Sequence, residues 1–208
     1  MPEPEFEDLT ARARIRDAAI ALFAERGAGA TTVRDIAEQA GVSPGLLRHH
    51  FGSKEALREA CDAYVLDRLV QIKEKMLFDN PGFLPAVHPT VVRYNKYVTR
   101  ALLDGSPSAA AMFDDMVRLS ADWIEQHIPG LTKDYHSYAA VFTGMQSGLL
   151  AMHEHVSRAL GADMFTPEGH VRLAAALIDF YSHPLLTPDL AAKVQSALDA
   201  LRAKAEGA

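Results

Sequence analysis

Apolar residues recur along the chain at the three- and four-residue spacing that is typical of amphipathic helices. The spacing predicts helices at about 10–25 (or from Phe6), 33–40, 44–51, 53–78, 85–103, 107–128, 132–159, 168–182 and 189–205. Glycine and proline clusters separate these segments, and no segment alternates with the period of two that marks a strand. The pattern therefore predicts an all-α protein of about nine helices.

The segment TTVRDIAEQAGVSPGLLRHHFGSKE, residues 31–55, contains the most specific local pattern. An apolar stripe that includes Ile36 and Ala40 runs along the first of two short helices. Gly41 supplies a backbone that turns without a Cβ penalty, and Ser43 is suited to cap the second helix. These features in this order predict a helix-turn-helix, whose second helix enters a DNA groove.

The distribution of charge supports a DNA-binding head, although the net charge of −6 does not. Residues 1–9 carry −4, residues 10–58 carry +3 and residues 59–208 carry −5. A basic head on an acidic body concentrates the attraction for phosphate at one end of the molecule. A charge of +3 over 49 residues also fits a solvated surface, so charge alone does not decide the function.

Other features exclude several classes of protein. No apolar run approaches the ~20 residues that span a bilayer, and the acidic N-terminus lacks the order of a signal peptide. The single cysteine, Cys61, cannot form an internal disulfide and is expected to be a half-buried structural residue. We therefore expect a cytoplasmic protein with no membrane partner.

No constellation of catalytic or metal-binding residues stands out. His153 and His155 flank Glu154, but residues two apart on a helix point to different sides and cannot chelate one ion together. No nucleophile elbow, phosphate loop or pair of acids is evident either. The sequence predicts no cofactor, no metal and no enzymatic activity.

The segment TTVRDIAEQAGVSPGLLRHHFGSKEAL, residues 31–57, resembles the DNA-binding head of the tetracycline-repressor-like (TetR) transcriptional regulators. The resemblance covers about residues 8–55. It implies a three-helix head, residues 1–53, and a helical ligand-binding and dimerisation body, residues 54–208. It also implies a homodimer through about 168–182 and 189–205 that binds a palindromic double-stranded operator.

The resemblance also implies roles for residues of the head. Arg48 and His49 are expected to meet base edges, and residues near the helix starts are expected to contact phosphate. Gly45 is expected to permit close approach to DNA. The family usually has tyrosine at the position of Arg48, so the operator sequence is not predicted. The full set of expected DNA-contacting residues is Thr32, Arg34, Ser43, Pro44, Gly45, Arg48, His49 and Lys54.

Apolar and aromatic residues of the body are candidates for lining a small-molecule cavity, with Gln146 as a polar anchor. Plain core packing is the alternative for each of them. The candidates are Tyr94, Met112, Met116, Trp123, Tyr138, Phe142, Met145, Gln146 and Leu149.

The working hypothesis is a DNA-binding repressor that a small apolar effector releases from its operator. A regulator of the same architecture that activates, or that has no effector, is the first alternative. An all-helical enzyme is a second alternative, against which the missing catalytic constellation argues.

Overall fold

The computed structural model describes residues 4–74 and 88–206, and these residues form helices without any strand. The helices are α1 (Pro4–Arg26), α2 (Val33–Ala40), α3 (Pro44–Phe51), α4 (Lys54–Glu74), α5 (Pro89–Leu103), α6 (Pro107–His127), α7 (Tyr135–Ala151), α8 (His153–Leu160), α9 (Pro167–Ser182) and α10 (Pro188–Glu206). The all-α prediction is confirmed. The predicted end of the fourth helix near Phe78, the break at 79–82 and the predicted start at Pro85 lie outside the described residues.

The described residues contain ten helices rather than nine, because the segment predicted as one helix at 132–159 forms α7 and α8. The backbone leaves the helical region at Met152, where φ is −100° and ψ is 22°. The amide of Met152 still donates to the carbonyl of Gly148, so the break follows a completed turn. Glycines at 144 and 148 weaken the preceding turns, since glycine lowers helix propensity.

Helices α1 to α3 form a compact head around fully buried apolar side chains. Ile15 of α1, Ile36 of α2 and Leu47 of α3 have no exposed surface. A reciprocal capping box begins α2: Thr32 Oγ1 accepts from the Asp35 amide, and the Asp35 carboxylate accepts from the Thr32 amide. The hydrogen bond from the Thr32 amide lowers the pKa of the Asp35 carboxyl most strongly, and the Thr32 side chain lowers it further. The head is therefore fixed by local capping and by one shared core.

The core of the head continues into the body. Leu57 and Cys61 of α4 and Tyr97 and Val98 of α5 belong to the same buried cluster as the apolar residues of α1. Cys61 is fully buried rather than half-buried, and burial raises the pKa of its thiol. A smaller cluster joins α6 to α7 around Val117, Ile124 and Ala139. Helices α1, α4 and α5 thus pack as one unit, across the boundary predicted at residue 53.

The C-terminal helices are largely unburied within the chain. Every described side chain from residue 178 to residue 204 is exposed. Apolar side chains of the segment 132–159 are also partly open, since Tyr138, Met145 and Met152 are 40–56% exposed. Helix α7 instead buries its other face, at Ala139 and Thr143. No helix among the described residues is long and apolar enough to cross a membrane.

Candidate nucleic-acid interface

The turn between α2 and α3 has the backbone geometry that the sequence predicts. Gly41 ends α2 in the left-handed region, with φ 65° and ψ 41°, where a side chain would be strained. Its amide donates to the carbonyl of Glu38 at 3.1 Å, and the amide of Val42 donates to that of Ala37 at 2.9 Å. Together these bonds close α2 and turn the chain towards α3.

Helix α3 presents one buried and one exposed face. Leu47 and Phe51 point into the head, at 0% and 9% exposure. Arg48 and His49 lie between them in sequence and are exposed. Because the buried pair fixes the rotation of the helix about its axis, the basic pair is held outward. This is the arrangement that base reading in a major groove requires.

The helix starts expose further polar groups on the head. Ser43 caps α3 by accepting the amide of Leu46 at 3.1 Å, as Thr32 caps α2 by accepting that of Asp35 at 3.2 Å. In the cap of α3 the Ser43 hydroxyl is used as an acceptor and keeps its own O–H as a donor. Both residues are exposed at the positive ends of short helices. The two caps can therefore bind phosphate without losing their structural role.

The ammonium of Lys54 also has a hydrogen-bond partner inside the head. Its ammonium donates to the carbonyl of Thr31 at 2.8 Å, and the side chain is only partly exposed. This bond ties the start of α4 to the loop before α2. An ammonium has three donors, so one bond to Thr31 leaves capacity for a phosphate.

The remaining predicted residues, Arg34, Pro44 and Gly45, are also exposed on the head. A Cβ atom at Gly45 would meet only Ser43 Oγ, at an ordinary 3.8 Å. Packing within the chain therefore does not require glycine at this position. Seven of the eight predicted DNA contacts belong to α2, α3 or their N-caps, and Lys54 begins α4; contact with DNA itself stays a prediction for all eight.

Sequence reasoning missed Arg12 of α1 as a support of the recognition helix. Its guanidinium donates to the carbonyl of His50 at 2.7 Å and lies 4.5 Å from the ring centre of Phe51. A cation at the C-terminus of a helix satisfies an orphan carbonyl and favours the helix dipole. No local signal in the sequence marks a contact across 38 residues.

The nine predicted cavity residues do not gather at one place in the described structure. Tyr94 and Met112 are buried in the core shared by head and body, with Met116 packed against it. Trp123 packs in the smaller α6–α7 cluster, and Tyr138 is exposed.

Four of the nine meet where α7 approaches α9: Phe142, Met145, Gln146 and Leu149. Gln146 donates to the hydroxyl of Tyr181 at 3.0 Å, and the rings of Phe142 and Tyr181 are 6.1 Å apart. Met145 and Leu149 line a groove of about 380 Å³.

Comparison with known proteins identifies the head. Residues 15–61 match the family model described as bacterial regulatory proteins, tetR family. The chain is 34% identical over 193 residues to the HTH-type transcriptional regulatory protein RaaS of Mycobacterium tuberculosis, covering 88% of this chain and 84% of the relative. The chain belongs to the TetR family of transcriptional regulators.

Further relatives agree with this assignment. The HTH-type transcriptional repressor KstR2 of Rhodococcus jostii is 37% identical over 110 residues, covering 51% of this chain and 50% of the relative. A TetR-family regulator from Rhodococcus sp., of known structure, aligns with a TM-score of 0.59 over 81% of this chain and 98% of its own. At 23% identity that structure supports the fold alone. The chain is a DNA-binding regulator and not an enzyme.

Proposed function

We propose that this TetR-family regulator is a repressor that binds a palindromic operator as a homodimer and leaves it when a small apolar effector binds the body. The outward placement of Arg48 and His49 on α3 carries the DNA-binding part of the proposal. The relative KstR2 is named a repressor, which favours repression over activation. Because its target is the chromosome, the protein is proposed to act in the cytoplasm.

The exposed C-terminal helices support the homodimer. Most of the stability of a helix in a protein comes from packing of its apolar face, yet every described side chain of α10 is exposed within the chain. Leu190, Val194, Leu198 and Leu201 lie along α10 at 45–62% exposure. Ile178 and Tyr181 of α9 are also exposed, at 64% and 49%. A second copy of the chain, related by a two-fold axis, would cover these faces in a bundle of four helices.

A two-fold dimer explains a palindromic operator. Two recognition helices related by the axis enter successive major grooves about 34 Å apart, which is one turn of B-DNA. Each head then reads one half-site with the same residues. The proposed division at residue 53 is functional in this scheme: residues 1–53 read DNA, and residues 54–208 set the distance between the heads.

The groove between α7 and α9 supports an apolar effector. Its lining is almost entirely apolar and includes Met145, Leu149 and Leu177. Its volume of about 380 Å³ lies within the range of small-molecule sites. An effector bound there would touch α9 and thereby bias the proposed dimer contact. It releases DNA only if its affinities for the DNA-bound and free states differ.

The direct test is operator binding by an Arg48→Ala variant, using DNA upstream of the gene that encodes the chain. If Arg48 reads a base edge, discrimination between operator and random duplex falls by about 1–3 kcal/mol. Arg14→Ala is the matched control, since Arg14 is an exposed arginine of α1. It removes the same charge and is expected to keep the discrimination. An unchanged preference in Arg48→Ala would exclude base reading by this residue.

The same assay tests the regulator as a whole. Wild-type binding is expected to be specific and to weaken steeply with salt, because phosphate contacts release counterions. Equal affinity for operator and random duplex would contradict the proposed function.

A further inference from the structure

Three cations of α5 line one groove between the head and the body. Arg93, Lys96 and Arg100 are three and four residues apart, so they share one face of the helix. The groove lies between α1, α5 and the α7–α8 corner, and its volume is about 550 Å³. This size is typical of sites that hold a small organic molecule.

These three cations have no ion-pair partner among the described residues. Other arginines do have one: Arg58 pairs with Asp104 at 2.6 Å, and Arg172 pairs with Glu168 at 2.6 Å. Two carboxylates, Glu25 and Glu154, also line the groove, but neither forms an ion pair with the three cations. Like charges on one helix face repel each other, so this side of α5 favours a bound anion.

The rest of the groove is suited to an apolar group. Ala21 and Ala24 of α1, Val92 of α5 and Leu150 of α7 form its walls. Phe165 closes one side, with its ring 5.5 Å from that of His153.

A second cavity of about 520 Å³ adjoins the groove and shares three lining residues with it, Thr99, Arg100 and His153. It extends past Phe23 towards Leu103. The two spaces together suit an elongated molecule.

We propose that this groove binds an amphipathic organic anion, with a carboxylate or phosphate head on the α5 cations and an apolar chain along α1. The site goes beyond the proposed function, whose effector groove is apolar and lies between α7 and α9. The new groove joins a helix of the head to helices of the body. Its occupant therefore contacts both parts of the molecule that a regulatory change must move.

The test uses three probes with the same ten-carbon chain: decanoate, decyl phosphate and neutral decan-1-ol. Titration calorimetry on the full-length wild-type chain is expected to show at least one anion binding about tenfold tighter than the alcohol, because only an anion forms charge-assisted hydrogen bonds. The tighter of the two anions identifies the head group. Equal binding of anions and alcohol would overturn the proposal.

The double variant Arg93→Gln, Arg100→Gln is expected to lose this preference and to keep its weak affinity for the alcohol. Lys133→Gln, Arg158→Gln is the matched control, because both residues are exposed cations outside the groove. An equal loss in the control would show a general effect of net charge and overturn the site.

Operator binding by the groove variant, measured without anions, separates this proposal from the proposed function. Since neither residue lies on the α2–α3 side of the head, operator affinity within about twofold of wild type is expected. Loss of anion binding with operator binding retained supports the groove as a separate site. If the wild-type protein does not bind the operator, the proposed function is contradicted, but the calorimetric test of anion binding in the groove remains valid.

Discussion

Shortening two leucines of α10 tests whether a second copy of the chain covers the C-terminal helices. Leu198 and Leu201 are 45% and 62% exposed, so about half of each side chain remains to be buried on dimerisation. Complete burial of a leucine side chain contributes about 1.5–3 kcal/mol, so half of it contributes about 1 kcal/mol. The double variant Leu198→Ala, Leu201→Ala changes four side chains per dimer and is expected to cost about 4 kcal/mol of association free energy.

At 1.4 kcal/mol per tenfold change, this cost raises the dissociation constant of the dimer by about a thousandfold. Sedimentation equilibrium over a dilution series measures the constant directly. Leu131→Ala is the control, since Leu131 is 44% exposed and lies in the connection between α6 and α7. The two leucines belong to neither buried cluster of the described residues, so thermal unfolding of the main core, followed by circular dichroism, is expected to be unchanged in the variant. A dissociation constant within threefold of wild type (about 0.7 kcal/mol) would refute the interface.

Two further predictions concern the head and its junction with the body. Arg12→Met removes the bond to the His50 carbonyl and is expected to lower head stability by about 1 kcal/mol and to weaken operator binding. Thermal unfolding and gel shift, with Arg14→Met as control, check both effects, and an unaltered operator affinity would contradict the supporting role. Burial raises the pKa of Asp62 to about 6, above its value of about 3.9 in an unfolded chain. The contribution of Asp62 to stability is therefore largest below pH ~4 and is lost as the pH rises through ~6. Asp62→Asn is expected to be more stable than wild type by about 1–2 kcal/mol at pH 8, with the difference vanishing near pH 4 in urea titrations. If the stability difference between Asp62→Asn and wild type does not change with pH, the raised pKa of Asp62 is contradicted.

The helix-turn-helix could be predicted from sequence because its determinants are local. Each cap and turn depends on residues within five positions, as in the bond of the Asp35 amide to Thr32 and the left-handed backbone of Gly41. The Arg12 contact with α3 could not be predicted, since it depends on how α1 crosses α3. The spacing of Arg93, Lys96 and Arg100 places them on one face of α5, but the sequence does not indicate that α1 and the α7–α8 corner lie opposite this face.

The cavity prediction shows the limit of helical periodicity. A stripe of apolar residues indicates which side of a helix is apolar, and it does not indicate what packs there. Met112 is 2% exposed within the main core, whereas Tyr138 is 40% exposed on α7. Both belong to equally regular stripes. The proposed dimer interface on α9 and α10 involves another chain, so it leaves no mark in the periodicity of a single helix.

The continuity of the core constrains how an effector could release DNA. Tyr97 of α5 donates to Asp62 of α4, and Arg58 of α4 pairs with Asp104 just after α5. Close-packed cores respond to strain by moving between discrete arrangements rather than by deforming smoothly. A displacement of α5 is therefore expected to pass to α1 and α4 as a rigid shift. Helix α1 in turn holds the end of the recognition helix through Arg12, so a change at α5 is expected to reach α3 through the packing of α5 on α1 and the contacts of Arg12 with His50 and Phe51.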